Sequence, residues 1–184
     1  MQSWNVNPIS TARLCAEVWN QIKNKDWSLV NGGRGANNWD FTKFYQRIGG
    51  SGGVVGYGAP ASVGAALANK KHGRLSVSIQ NDGDLMYAPG VLWTAAHHRI
   101  PLLSIMNNNR NIDNWKIGTK LDDPAIDYAK IAEGMGWQAQ EPISDPAEIA
   151  SDIRHGISAV ESGQPPRSTP SCNPASLRTL ARIA

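Results

Sequence analysis

Two short polar stretches hold the residues best suited to chemistry, Asn81-Asp82-Gly83-Asp84 and Asn107-Asn108-Asn109-Arg110-Asn111. Each follows a run that reads as a strand, Arg74 to Ile79 and Leu102 to Met106. In a parallel sheet both stretches fall at the carboxyl ends of strands, where open α/β sheets bind ligands. Asp82 offers a carboxylate oxygen and Asn109 an amide oxygen. A hard cation such as Mg2+ takes about six oxygens at about 2.1 Å, only a few of them from protein. One carboxylate, one amide and one backbone carbonyl, with a bound diphosphate, complete such a shell. Gly83 lets the backbone come close to a ligand, and the N–H groups after it belong to a helix start that favours an anion. Taken singly, each residue is also an ordinary Asx turn at a strand end.

The elements that must position these stretches are legible as a pattern. Leu14, Cys15, Val18, Trp19 and Ile22 recur at helical spacing between Ser10 and Lys23, with Ser10 or Thr11 as cap. Trp27 to Val30 reads as a short strand, followed by a glycine- and asparagine-rich loop. Phe41 to Tyr45 is expected to form a turn of helix. Gly49 to Gly58 is a second glycine-dense stretch. It leads into Ala59 to Ala68, where small residues on every side predict a buried helix packed closely on a sheet. Ala88 to His98 predicts a helix. Another is expected to open at Asp123-Pro124 and end at Gly134, before a short strand at Trp137 to Ala139. Asp145-Pro146-Ala147-Glu148 reads as a capping box. The helix behind it puts Ile149, Ile153, Ile157 and Val160 on one stripe. Alternating strands and helices predict an α/β domain with a mainly parallel sheet and right-handed crossovers.

Composition narrows the function classes. The 184 residues are 41% hydrophobic and 18% charged, which excludes a disordered chain. A net charge of +3 suits an anionic ligand but is not the dense basic surface of a nucleic-acid binder. No apolar run is long enough to span a membrane, and the first residues lack a secretory pattern. Cys15 and Cys172 lie far apart with no CxxC, so a reduced, cytoplasmic setting is expected. From Gln164 to Ala184 the chain turns Pro- and Ser-rich and holds no acid, which predicts a loosely ordered tail, 164–184.

Asp82-Gly83, followed 27 positions later by the second Asn of Asn108-Asn109, resembles the thiamine-diphosphate motif GDG…NN. Upstream, Gly53-Val54-Val55-Gly56-Tyr57-Gly58-Ala59-Pro60-Ala61-Ser62-Val63-Gly64 is similar to the GxMGYGLPAAIG segment of acetolactate synthase-like and decarboxylase-like enzymes. The resemblance covers about Pro8 to Gly163 and implies a diphosphate-binding (PP-type) domain, 1–163, with a three-layer αβα, Rossmann-like fold. It implies thiamine diphosphate and Mg2+ as cofactors. Asp82 and Asn109 would hold the metal by side chain and Asn111 by its carbonyl. Gly83 and Asp84 would bind the diphosphate through backbone N–H groups. Val55 stands where the family places a bulky apolar residue that props the bent cofactor. Asn81 replaces the motif's first glycine, and Asp84 replaces a small Ser or Ala. A carboxylate at 84 would repel the diphosphate unless it faces away or helps hold the metal.

The reaction class implied is making or breaking a C–C bond next to a carbonyl, with a 2-oxo acid or related small molecule as substrate. The family also implies a glutamate from a pyrimidine-binding domain, and none of Glu17, Glu133, Glu141, Glu148 and Glu161 matches it. The chain alone is therefore expected to be inactive, as a truncated member, and to need a homodimer or a partner bearing that domain. A non-catalytic Mg2+–diphosphate binder and an α/β interaction module are the alternatives. No nucleic-acid or membrane partner is expected. His97-His98 reads as exposed or structural, Trp93 and Trp115 as core or rim, and Asp122-Asp123 as a helix cap. Arg110 reads as solvent-facing or as a phosphate contact, and Cys15 as core.

Overall fold

The computed structural model describes residues 9–32, 34–48, 55–110, 120–140, 142–162, 168–169 and 182–183. The elements run α1 (Thr11–Ile22), β1 (Trp27–Asn31), a 3-10 turn (Arg34–Asn38), α2 (Gly58–Lys70), β2 (Leu75–Asn81), α3 (Asp82–Met86) and α4 (Val91–His97). They continue with β3 (Leu103–Asn107), α5 (Tyr128–Gly134), β4 (Trp137–Gln138), α6 (Ile149–Glu161), β5 (Ser168–Thr169) and β6 (Arg182–Ile183). Strands β1-β2-β3-β5 form one sheet in that order, and each neighbouring pair is parallel. A second, two-stranded sheet pairs β4 with β6 antiparallel.

The period-2 pattern of the strands divides the core into two layers. Trp27, Leu29, Leu75, Val77, Ile79, Leu103 and Ile105 face α1 and α6. On α6 the stripe Ile149, Ile153, Ile157 and Val160 is buried against them. Each such side chain contributes about 1.5–3 kcal/mol by leaving water. On the opposite side Val30, Leu102 and Met106 pack with residues of α2, α4 and α5. This is the three-layer architecture expected. The serines of β2 face α2 rather than water. The Ser62 and Ser78 hydroxyls lie 3.1 Å apart, and Asn69 Nδ2 donates to Ser76 Oγ at 3.0 Å. Both faces of β2 are therefore buried.

Ser10 caps α1 by accepting from Arg13 N at 3.2 Å, as the sequence predicts. Several local expectations are corrected. Phe41 to Tyr45 forms no helical turn. Gln46 Oε1 instead accepts from Thr42 N and Lys43 N and fixes a tight turn. Helix α2 is buried on one face only, since Pro60, Gly64, Leu67 and Ala68 lie exposed in the outer layer. No helix opens at Asp123-Pro124. Helix α5 begins at Tyr128, with Asp127 accepting from Lys130 N as its cap. At Asp145 the side chain accepts from Ala147 N and holds a turn, and α6 starts only at Ile149, without the reciprocal glutamate contact of a capping box. In the tail, Ser168–Thr169 and Arg182–Ile183 take strand positions, and the remaining tail residues lie outside the described ones.

The Cys15 thiol is buried in the α1 layer, and burial pushes its pKa up to about 11. In a Cys172→Ser chain the folded protein should therefore resist alkylation at pH 8 and react fully in denaturant. Mass spectrometry after a timed pulse of iodoacetamide checks this, and rapid labelling of the native chain would contradict it.

Candidate functional site

Strands β2 and β3 are in register along their length, so Asn81 stands opposite Asn107 at the carboxyl end of the sheet. Asn107 Nδ2 donates to Asn81 Oδ1 at 3.0 Å and ties the two tips together. The chain leaves β2 directly into α3, which puts Asp82 at its first position. Beyond β3, Asn108 Oδ1 accepts from Arg110 N at 3.2 Å, an Asx turn whose last residue takes a left-handed φ of 54°. That turn brings Asn109 back toward Asp82. Asn109 N donates to Asp82 Oδ1 at 3.4 Å.

Asp82 is fully buried, and its Oδ2 has no hydrogen-bond partner. Burial raises its pKa, opposed by backbone N–H groups of Gly83, Asn109 and Arg110. The buried Tyr128 hydroxyl on α5 is a second polar atom without a hydrogen-bond partner. Its pKa is pushed up by burial and by the charge of Asp82, which places the two in one electrostatic environment. A desolvated carboxylate with an open oxygen is costly as it stands, and a divalent cation is what would offset that cost. Among the described residues no group of three or more His, Cys, Asp and Glu could hold a metal. The donor set here is instead one carboxylate beside an asparagine, which suits a hard ion that takes its remaining oxygens from phosphate and water.

Gly83 is buried in the first turn of α3, where backbone N–H groups lack helical partners. Asp84 is turned away from that end. Its Oδ1 accepts from Gly56 N at 2.6 Å and its Oδ2 from Gln80 Nε2 at 2.6 Å. The carboxylate at 84 is thus compatible with an anion at the α3 start. Val55 adjoins the anchored Gly56 and is 46% exposed at the rim. Asn109 is half-buried, and Asn111 lies outside the described residues. Leu121 N donates to Arg110 O at 2.9 Å.

The other sequence candidates stay apart from this centre. His97 and His98 are exposed, with Trp93 stacked on His97 at 4.8 Å. Trp93 is a rim residue, Trp115 lies outside the described residues, and Asp122-Asp123 caps no helix. Sequence reasoning missed Gln80, Asn31 and Tyr128. Gln80 ends an alternating strand and looks solvent-facing, yet it is buried and accepts from Asn31 Nδ2 at 2.9 Å.

Residues 33–165 match the family model described as thiamine pyrophosphate enzyme, C-terminal TPP binding domain. The chain belongs to that family. A Mycobacterium tuberculosis protein provisionally named as an acetolactate synthase large subunit is 33% identical to this TPP-binding domain over 121 residues, covering 56% of this chain and 23% of that protein. Benzoylformate decarboxylase from Pseudomonas aeruginosa is 32% identical over 116 residues, covering 58% of this chain and 21% of its own length. The fold is that of the crystal structure of benzoylformate decarboxylase from Polynucleobacter necessarius, at TM-score 0.75 and 13% identity, covering 98% of this chain and 36% of that one. This TPP-binding domain thus spans under a quarter of the length of these curated relatives.

Proposed function

We propose that this domain anchors thiamine diphosphate through Mg2+ and serves a reaction that makes or breaks a C–C bond next to a carbonyl, on a 2-oxo acid or related small molecule. The observation that carries this reading is the fully buried Asp82 carboxylate, with Oδ2 unpartnered and Oδ1 against the backbone of Asn109. In this reading Asp82 and Asn109 hold the metal by side chain and Asn111 by its carbonyl. The N–H groups of Gly83 and Asp84 receive the diphosphate at the start of α3, and Val55 bears on the cofactor above them. When bound, the cofactor supplies the electron sink for the reaction. The chain's own part is to hold the diphosphate end, fix its orientation and keep water from the buried Asp82.

The proton-transferring glutamate that the family implies matches none of the five in these 184 residues, so in this reading a pyrimidine-binding domain supplies it. Val55, Tyr57 and Tyr87 support such docking. They are exposed, and the turn that carries Val55 lies against Tyr87, where a Cβ on Gly56 would come within 2.7 Å of Tyr87 Cβ.

Calorimetric titration of the chain with thiamine diphosphate, with and without Mg2+, tests the anchoring role. Binding that appears only with the metal is expected. Its absence would overturn the cofactor reading and leave an interaction module. Pyruvate consumption should stay at background for the chain alone and rise when a glutamate-bearing partner domain is added.

A further inference from the structure

We infer that Asp84 is a positioning residue of the cofactor site, whose carboxylate latches the turn carrying Val55 to the tip of β2. This deepens the thiamine diphosphate reading and rests on it. Both oxygens of the carboxylate are used. Oδ1 takes the Gly56 N–H at 2.6 Å and Oδ2 takes the Gln80 amide at 2.6 Å. Charge-assisted bonds of this length are roughly twice as strong as neutral ones. Gln80 is itself fixed, because Nε2 also reaches Asn81 O at 3.1 Å and Oε1 accepts from Asn31 Nδ2 at 2.9 Å. One part-buried relay therefore joins the ends of β1 and β2, the first turn of α3 and the turn before α2.

The glycines of that turn show how closely it is seated. Gly56 has a φ of +89°, and a Cβ on it would press on Tyr87. A Cβ on Gly58 would collide with Asp84 Oδ2 and Asn31 Nδ2. The carboxylate thus occupies the space that the absent side chain leaves. A serine or alanine at 84 would reach neither Gly56 N–H nor the Gln80 amide in this geometry. The latch also resolves the charge conflict at this position. Both oxygens of the acid are held toward Gly56 and Gln80, which keeps them from pointing at the diphosphate-binding turn.

Position and anchoring separate in one experiment. Wild type, Asp84→Asn and Asp84→Ser are titrated with Mg2+–thiamine diphosphate and with Mg2+–pyrophosphate, which needs the anchor but not the prop at Val55. Pyrophosphate affinity should hold within about 3-fold in both variants, and thiamine diphosphate affinity should fall about 10-fold in Asp84→Ser, the scale of the one charge-assisted hydrogen bond, of the two lost, that holds the Val55 turn. Asp84→Asn should lie between, since its amide oxygen still accepts from Gly56. Hydrogen exchange at the Gly56 amide, read without ligand, should quicken in the same order. Equal loss of both ligands, unchanged affinity for thiamine diphosphate, or unchanged Gly56 exchange would each overturn the latch. If wild type binds neither ligand, the cofactor reading itself fails and the positioning role falls with it.

Discussion

Asp82→Asn lowers the affinity for Mg2+–thiamine diphosphate at least ~100-fold, beyond the roughly 10–100-fold that loss of an outer-shell partner costs a metal site, and at the same time raises the melting temperature of the metal-free chain. The two effects have one cause. Asp82 is wholly buried, one oxygen meets no donor, and burial outweighs the nearby N–H groups in raising its pKa. The fold thus disfavours the charge that a metal would require. Asparagine keeps an acceptor for Asn109 N–H and drops the charge. An unpartnered polar atom remains in either case, so the gain is that of removing a desolvated charge, and each kcal/mol is worth about 2–4 °C in a chain of this size. The pH dependence has a definite sign. A raised carboxylate contributes stability that is fully present below its unfolded pKa and is lost as pH rises through its folded value. The variant and wild type should therefore melt together at strongly acid pH, and the variant should pull ahead toward neutrality. Calorimetric melts across pH without metal, and titrations with it, check both halves. A variant that binds as well as wild type would remove Asp82 from the site.

Trp27→Ala costs about 3–5 kcal/mol of folding stability, which would exhaust the stability of a chain at the low end of the ordinary range, about 5–15 kcal/mol. Trp27 opens β1 with none of its surface exposed, at ring-centroid distances of 5.6 Å from Trp19, 5.8 Å from Trp39 and 5.7 Å from Phe41. Three aromatic contacts, edge-on to the indole, are lost at once, and the cavity sits under α1 where little can move in. Trp27→Phe should cost much less. It keeps a ring in place and removes an indole Nε1 that has no hydrogen-bond partner. Urea midpoints with unchanged slope measure both. Trp27 lies at the amino end of β1, about 13 Å along the strand from Asn31. The folded fraction of each variant should therefore bind ligand as wild type does. A Trp27→Ala midpoint within error of wild type would show that this cluster adds little.

The parallel strands and the Asp82–Asn109 convergence were readable because each depends on short-range pattern. Apolar and serine residues alternate up to Asn81, and apolar residues run to Met106. Once the two strands are neighbours in register, their tips must meet. What stayed hidden depends on which side chain fills a space made by distant residues. Gln80 looks like a strand end facing water until Asp84 and Asn31 are seen to enclose it. Tyr128 looked like one more residue of a helix expected to begin five positions earlier. Its hydroxyl matters only because α5 brings it within electrostatic reach of Asp82. Asp123-Pro124 has the residues of a helix start, yet Asp127 has the side chain that meets the first free N–H. The small residues of α2 suggest a buried helix, whereas they permit close approach on one side and leave Leu67 outside.

The hydrogen bond from Leu121 N to Arg110 O fixes the distance between two points of the chain that are eleven positions apart. A fixed distance of this kind makes the sequence length between the two points adjustable. Lengthening a closed loop twofold adds only about 0.6 kcal/mol of entropy, and neither β3 nor α5 need shift to admit it. A longer sequence between Arg110 and Leu121 is therefore expected to leave the pairing of Asn81 with Asn107 at the sheet tips as it is, which makes this the natural place to graft when redesigning the domain.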